Sequence, residues 1–165
     1  MPNWCDLELR VLDDGDCEEL KEYLSGKDSI GRQADVTFHK LIPMPDNIFR
    51  GDLGEEERKL YGVYNWYDWS IEHWGTKWDA CRAQFTPECV MFSTAWCMPT
   101  PWLKKLAERA AIDGRTIKLN VWYEGEPKED AFEGYLLKDG KLCEDKADES
   151  FISLYDDLYN YKEEE

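Results

Sequence analysis

The chain has few basic residues and few histidines for its length of 165 residues. It carries 20 Lys and Arg against 36 Asp and Glu, for a formal net charge of −16, and it has two histidines. A negative field repels nucleic-acid backbones and anionic membrane surfaces, since both are bound through clustered Lys and Arg. Nucleic acid and membranes are therefore unlikely partners, and the charge fits either simple solubility or a basic partner surface.

Long apolar runs are also missing. No run approaches the ~18–20 residues of a membrane span. Met1 is followed by Pro-Asn-Trp-Cys-Asp, which is unlike the basic and apolar leader of a secreted protein. We therefore expect an intracellular, soluble protein.

Several short motifs that mark common active sites are absent from the sequence. It has no P-loop, no GxGxxG fingerprint, no GxSxG elbow and no HExxH helix. The six cysteines include no CxxC pair and are expected to be reduced, so a zinc site has little support. We predict no catalytic residue, no metal ligand and no cofactor, and we favour a protein that is not an enzyme.

The chain is rich in aromatic residues and has regular hydrophobic patterns. Eight Trp and nine Tyr exclude a disordered chain. Apolar and polar residues alternate in residues 4–11 and 116–123, which predicts two strands with one buried face each. The run 88–96 predicts a strand that is covered on both faces, and a short strand is expected at 35–39.

Helical patterns lie between these strands. A stripe of apolar residues predicts one helix from about residue 17 to 24, and Pro99-Thr100-Pro101 begins a second that ends at Asp113-Gly114. Residues 46–80 interrupt the regular pattern. We interpret them as a Trp-rich insertion whose helix stops near Gly75 and whose aromatic residues pack onto the sheet.

The C-terminal third adds a hairpin and a helix. Asp139-Gly140 is a strong two-residue turn signal between strands at 132–138 and 141–145. Residues 148–165 predict an acidic amphipathic helix. Its expected inward face consists of Phe151, Leu154, Tyr155, Leu158 and Tyr161.

The order of these elements predicts the fold class. Along the chain the elements follow in the order β-α-β, insertion, β-α-β, hairpin and helix. This order is typical of an α+β, ferredoxin-like split β-α-β arrangement with an antiparallel sheet and both helices on one face. We divide the chain into a domain at 1–147, with its insertion at about 46–80, and a C-terminal helix at 148–165.

Four motifs resemble those of a known family. They are Met1-Pro2-Asn3-Trp4-Cys5, Leu41-Ile42-Pro43-Met44-Pro45, Trp74-Gly75-Thr76-Lys77-Trp78-Asp79-Ala80, and Thr94-Ala95-Trp96 followed by Pro99 and Pro101. Together they resemble the YubB-like, ferredoxin-like family over residues 1–138. The resemblance implies a protein of a phage, plasmid or other mobile element, in the cytoplasm of a bacterial host cell. It implies no reaction.

The Trp-Gly-Thr-Lys-Trp-Asp segment is the most distinctive candidate site. Lys77 and Asp79 lie between or beside Trp74 and Trp78, which is the usual composition of a ligand pocket. The same residues also suit a structural role, in which the tryptophans pack and Lys77 pairs with Asp79. His73 lies just before them, so an enzyme that uses His73, Lys77 and Asp79 stays open as an alternative.

The outer face of the sheet offers a second candidate site. Trp4 and Trp122 are expected there, and exposed aromatic residues on ferredoxin-like sheets can stack RNA bases. The negative charge and the absence of a basic face disfavour this use. Binding of single-stranded RNA or of a small ligand is therefore kept as an alternative function.

The acidic C-terminus points to a protein partner. Residues 112–165 hold 16 acidic and 7 basic residues, the largest excess in the chain. Clustered acids can imitate a phosphate backbone and occupy a basic surface. We hypothesise a non-enzymatic protein that blocks a host protein, such as a defence protein, with an acidic surface. The residues expected to form that surface are Asp148, Glu149, Asp156 and Asp157.

Overall fold

Six antiparallel strands form the central sheet of the protein, which a computed structural model describes for residues 2–13 and 15–163, with side chains through residue 160. The strands of this sheet are β1 (Trp4–Val11), β4 (Cys81–Phe85), β5 (Val90–Ala95), β6 (Ile117–Tyr123), β7 (Phe132–Lys138) and β8 (Lys141–Asp145). Two further short strands, β2 (Gly26–Lys27) and β3 (Gln33–Ala34), form a separate hairpin.

The helices lie between and after these strands. They are α1 (Lys21–Leu24), which continues a 3-10 turn at Cys17–Leu20, α2 (Glu55–Tyr61), α3 (Trp66–His73), α4 (Thr100–Ile112), α5 (Lys128–Ala131), α6 (Glu149–Ile152) and α7 (Asp156–Glu163), with a 3-10 turn at Ser153–Tyr155 between the last two. The α+β class predicted from the sequence is confirmed.

The order of the strands across the sheet is β4-β5-β1-β6-β7-β8, and neighbours pair antiparallel. Strands β1 and β4, joined through α1, are therefore parallel with β5 between them. Strands β5 and β6, joined through α4, are likewise parallel with β1 between them. These two interleaved units are the split β-α-β topology, and the hairpin of β7 and β8 extends the sheet beyond β6.

The main core lies on the sheet face that carries the odd-numbered residues of β1. Leu7 and Leu9 on this face are buried against apolar residues of α1 and α4, such as Leu24 and Leu106. The insertion contributes to the same core, as its tryptophans were predicted to do. The rings of Trp74 and Phe38 pack edge to face, with centroids 5.8 Å apart.

The opposite face of the sheet is covered by the C-terminal helices. Trp122 stacks on Tyr155 with ring centroids 4.4 Å apart, and Phe151 and Tyr159 are buried in the same small cluster. The sheet therefore has helices on both faces. Polar residues of the outer face, such as Glu8, are buried beneath this layer.

One predicted strand is wrong and three strands were missed. Residues 35–39 form bends and turns, and the short hairpin of β2 and β3 precedes them. The reason is that the Thr37 hydroxyl and the Phe38 amide both donate to the carboxylate of Asp79, which fixes a turn. The missed strands are β2 and β3 of that hairpin and, in the main sheet, β4. The five residues of β4 do alternate between apolar and polar side chains, but the run is short and directly follows the Trp-rich segment. Its pairing with β5 contains a bulge between Cys81 and Gln84.

The predicted inward face of the C-terminal helix is also partly wrong. Phe151 and Tyr155 do face the sheet, but Leu154 and Leu158 are 60% and 43% exposed, and Tyr159 is buried instead. The 3-10 turn at Ser153–Tyr155 changes the helical period. The tyrosine hydroxyls also find polar partners under the helix, which leucine cannot use. The side chain of Tyr161 lies outside the described residues.

Candidate functional site

Five aromatic and cationic side chains lie together near one end of β1. We call them the tryptophan–cation surface: Trp4, Lys77, Trp78, Arg82 and Trp96. The Nζ atom of Lys77 lies 4.2 Å from the ring centroid of Trp78 and 5.3 Å from that of Trp96. The rings of Trp4 and Trp78 are 6.2 Å apart, and the Arg82 guanidinium lies 4.4 Å from the Trp4 ring.

Four elements of the chain bring this surface together. Trp4 is the first residue of β1, Arg82 is in β4, and Lys77 and Trp78 belong to the turn that follows α3. Trp96 comes directly after β5, where Ala95 pairs with Trp4 in the sheet. The contacts are therefore long-range, and only the register of the sheet makes Trp4 and Trp96 neighbours.

The backbone of this surface holds unusual conformations. Arg82 and Trp96 have φ angles of +54° and +75°, and they are two of the three non-glycine residues with positive φ in the described part of the chain. The Trp96 amide donates to the carbonyl of Asn3 at 2.9 Å, which ties the strained residue to β1. Such conformations are costly for side-chain-bearing residues and concentrate at functional sites.

Two clefts adjoin the surface, and Lys77 borders both. One cleft of about 310 Å³ is lined mainly by apolar atoms, with Tyr67, Ile71, Trp96 and Cys97 among its walls. The other, of about 170 Å³, has Arg50 and the aromatic residues Trp66, Trp74 and Trp78 in its walls. Lys77 therefore places its ammonium group between an apolar cleft and a more polar one.

The electrostatics here differ from those of the whole protein. Among the residues that the structure describes, no carboxylate lies within 4.0 Å of the charged nitrogens of Lys77, Arg82 or Arg50. Arg50 instead donates to main-chain carbonyls, including those of Ile48 and Met44. A protein with a net charge of −16 thus holds a local group of cations without direct ion pairs among the described residues, although Asp28 and Asp79 line the same cleft as Lys77 and Arg50.

The other residues of the Trp-Gly-Thr-Lys-Trp-Asp segment hold the fold together. Trp74 is buried, and its indole Nε1 donates to the carbonyl of Ile42 at 2.9 Å. Asp79 does not pair with Lys77. Its carboxylate accepts hydrogen bonds from the Thr37 hydroxyl and from the backbone amides of Phe38 and Ala80. Burial raises the pKa of Asp79, although these three hydrogen bonds act in the opposite direction.

His73 lies apart from Lys77 and Asp79. Its ring stacks on Trp69 with centroids 4.4 Å apart, and its Nδ1 atom is 3.0 Å from the Trp69 carbonyl oxygen. It borders other clefts, between α3 and the loop that carries Pro43 and Pro45. The structure therefore does not assemble the three residues as one acid–base set.

Trp122 does not lie on an open face with Trp4. It is buried under the C-terminal helices, where its Nε1 donates to the Tyr159 hydroxyl at 2.9 Å. The expected platform of Trp4 and Trp122 on an open sheet face is therefore wrong, since the C-terminal helices cover half of it. Trp4 takes part in a different surface.

The four acidic residues predicted as a partner surface have different environments. Asp148 accepts from Asn120 at 3.0 Å, and Asp156 lies 3.9 Å from the ammonium group of Lys128. Glu149 and Asp157 are exposed. Two of the four are therefore engaged within the protein, and two face solvent.

Two residues of the tryptophan–cation surface were not among the predicted site residues: Arg82 and Trp96. Trp96 stood within a motif of the family resemblance, and it is a tryptophan directly after a buried strand, a signal that could have been used. For Arg82 the sequence gives only the alternation of residues 81–85, which places it on an outer face, and its contact with Trp4 is visible only in the fold.

In residues 2–13 and 15–163, no helix is long and apolar enough to cross a membrane, and no group of His, Cys, Asp and Glu is arranged to hold a metal ion. No family model matches the chain, and neither a curated protein nor a solved structure matches it significantly.

Proposed function

We propose that the protein acts by binding a partner protein with a basic surface, through the outward face of its C-terminal helical segment. This outward C-terminal face consists of Leu154, Asp157 and Leu158. All three are exposed, and they lie close together in sequence where the 3-10 turn passes into α7. The inward side is occupied by aromatic residues, so these leucines serve no packing role in the protein's own core.

The exposure of Leu154 and Leu158 beside an acidic residue carries the proposal. Exposed apolar residues next to charges are typical of the centre and rim of protein interfaces. The acidic excess of the C-terminal third indicates a partner with a positively charged surface, because opposite charges steer association and select partners. The resemblance to the YubB-like family supports a mobile-element protein whose partner is a host protein, with blockade of a nucleic-acid-binding surface as the mechanism.

The test compares proteins captured from a bacterial lysate by three forms of the chain. They are the wild type, a variant with Leu154→Ser, Asp157→Lys and Leu158→Ser, and a control with Leu60→Ser. Leu60 is 75% exposed on α2, so the control removes an exposed leucine elsewhere. We expect mass spectrometry to identify a protein that the wild type and the control retain and the triple variant loses.

A second step uses the captured protein in purified form. Its binding should weaken as salt increases, since exposed charges are screened within about 8–10 Å at physiological ionic strength. Equal capture by all three forms, or capture of chaperones alone, would contradict the proposal. Circular dichroism of the triple variant checks that its helices are intact.

A further inference from the structure

We propose that the tryptophan–cation surface binds a nucleotide unit, with a flat base stacked on Trp96 and a phosphate at Lys77. This surface shares no residue with the outward C-terminal face, so the two sites can be tested separately. The ligand is named by its chemistry. A nucleotide unit occurs both as a free mononucleotide and at the end of a single strand.

The first reason is the position of Trp96. Its side chain is 62% exposed, although indole rings gain most from burial, and its backbone has a φ angle of +75°. The fold therefore maintains a strained backbone that holds an aromatic ring in solvent. A ring face held open in this way is what a base stacks on, and base stacking accepts any base because each has a π face.

The second reason is the charge beside that ring. Lys77 lies over both Trp78 and Trp96, and no described carboxylate is within 4.0 Å of its ammonium group. The contact with two rings fixes the position of a side chain that is otherwise flexible. A ligand that combines a flat ring with an anion meets both features at once.

The third reason is the size of the adjoining cleft. Its volume of about 310 Å³ is at the lower end of the range for small-molecule sites. Tyr67 and Ile71 of α3 form one wall, and Trp96 and Cys97 form another. The cleft suits one nucleotide rather than a larger cofactor.

The net charge of −16 sets a limit on the ligand. A long polyanion is repelled by the rest of the protein, whereas one nucleotide brings only a few charges to a local group of cations. Near the ring of Trp96, the Thr76 hydroxyl and the Cys97 thiol already donate to the carbonyls of Ala95 and Gly75. We therefore expect little preference among the bases.

The experiment measures binding of AMP, UMP, uncharged adenosine and a dye-labelled eight-nucleotide RNA by calorimetry and fluorescence anisotropy. The variants are Trp96→Ala, Lys77→Gln and Lys77→Arg. Tyr64→Ala and Lys59→Gln are matched controls, since they remove an exposed ring and an exposed ammonium group on the insertion. The indole N–H signals in NMR spectra report whether each variant keeps the fold.

We expect the mononucleotides to bind and adenosine to bind more weakly. Trp96→Ala and Lys77→Gln should each weaken binding about tenfold, Lys77→Arg should restore most of it, and the controls should match the wild type. Binding of the RNA but not of AMP or UMP would assign the site to the end of a single strand. Absence of binding by all ligands at about 1 mM, or equal losses in the controls, would overturn the proposal.

Discussion

The indole Nε1 of Trp122 donates a hydrogen bond to the hydroxyl of Tyr159 at 2.9 Å. This bond joins the sheet to the last helix across 37 residues of sequence. On the same interface the Tyr155 hydroxyl donates to Asp6 at 2.8 Å, and burial raises the pKa of Tyr155. The C-terminal segment is therefore fastened to the outer face of the sheet by aromatic packing together with polar contacts.

A first prediction separates the two sides of this C-terminal segment. Phe151→Ala should lower the free energy of unfolding by ~3–5 kcal/mol, since Phe151 is fully buried. Leu154→Ala, three residues further along, should change it by less than ~0.5 kcal/mol, because Leu154 is largely exposed. Urea titrations followed by tryptophan fluorescence measure both. Equal losses in the two variants would contradict the assignment of inward and outward sides.

Deletion of residues 148–165 tests the contribution of the whole C-terminal segment to stability. We expect a marked loss of thermal stability and a shift of tryptophan emission to longer wavelength, because Trp122 would then meet water. An unchanged melting temperature would show that the segment is not part of the folded unit.

A second prediction concerns the turn after α3. Gly75 has a φ angle of +92°, and an added Cβ would lie 2.5 Å from Cδ of Pro101. Gly75→Ala should therefore be destabilising by more than the ~1–2 kcal/mol of left-handed backbone strain alone. Gly31→Ala is the control. Its φ is +86° with no atom within 4 Å, so it should show the backbone strain alone.

Denaturant unfolding measures the loss of stability in both glycine variants. If Gly31→Ala lowers the free energy of unfolding as much as Gly75→Ala does, the close approach of Pro101 to Gly75 does not contribute to the loss. Gly75→Ala should also displace Lys77, two residues further along the chain. Nucleotide binding should then weaken in this variant and not in Gly31→Ala.

The sequence patterns succeeded where local periodicity and tertiary packing agree. In α4 and on one side of β1, the residues expected to be buried are buried, with Val11 only partly so, because these sides face a continuous core. The other side of β1 was not expected to be buried, yet Glu8 on it is covered by the C-terminal helices. The turn at Asp139-Gly140 was equally predictable, since few residues accept the positive φ angles that such a turn requires. In each of these cases the information lies within about ten residues of sequence.

The candidate sites were less predictable, since they depend on contacts between distant residues. Trp4, Lys77 and Trp78 were recognised as candidates. Trp96 could have been singled out as a tryptophan directly after a buried strand, but its contact with Lys77 depends on how the sheet brings distant residues together. Trp122 was grouped with Trp4 by alternation alone. Alternation assigns a face of the sheet, whereas the cover on that face depends on how a later helix packs.

A third prediction tests the polar layer under the C-terminal segment. Asn120 is fully buried, donates to Glu8 at 3.1 Å and to Asp148 at 3.0 Å, and accepts from the Asp148 amide at 2.9 Å. Asn120→Ala leaves buried polar groups without partners, so a loss of ~1–3 kcal/mol is expected. Hydrogen exchange should become faster at the Asp148 amide and stay unchanged in α4. Unchanged exchange at Asp148 would mean that Asn120 does not hold the start of the C-terminal segment.

A fourth prediction concerns acid stability. The hydroxyl of Tyr23 donates to the carboxylate of Asp113, and this bond, with Arg109 and Arg115 nearby, lowers the pKa of Asp113. Burial raises the pKa of Tyr23 to about 12, and the bond to Asp113 adds to the shift. A carboxyl whose pKa is lower in the folded protein stabilises the fold above its unfolded pKa, about 3.9, and loses that effect as pH falls through the folded value.

Asp113→Asn should therefore destabilise the protein at about pH 7 and differ little from the wild type at about pH 2. Asp157→Asn, which removes an exposed carboxylate, controls for the loss of one negative charge. Tyr23→Phe should raise the pKa of Asp113 toward its ordinary value, which carboxyl carbon shifts in NMR titrations measure directly. An Asp113 pKa that is the same with and without the Tyr23 hydroxyl would show that this hydrogen bond does not determine the shift.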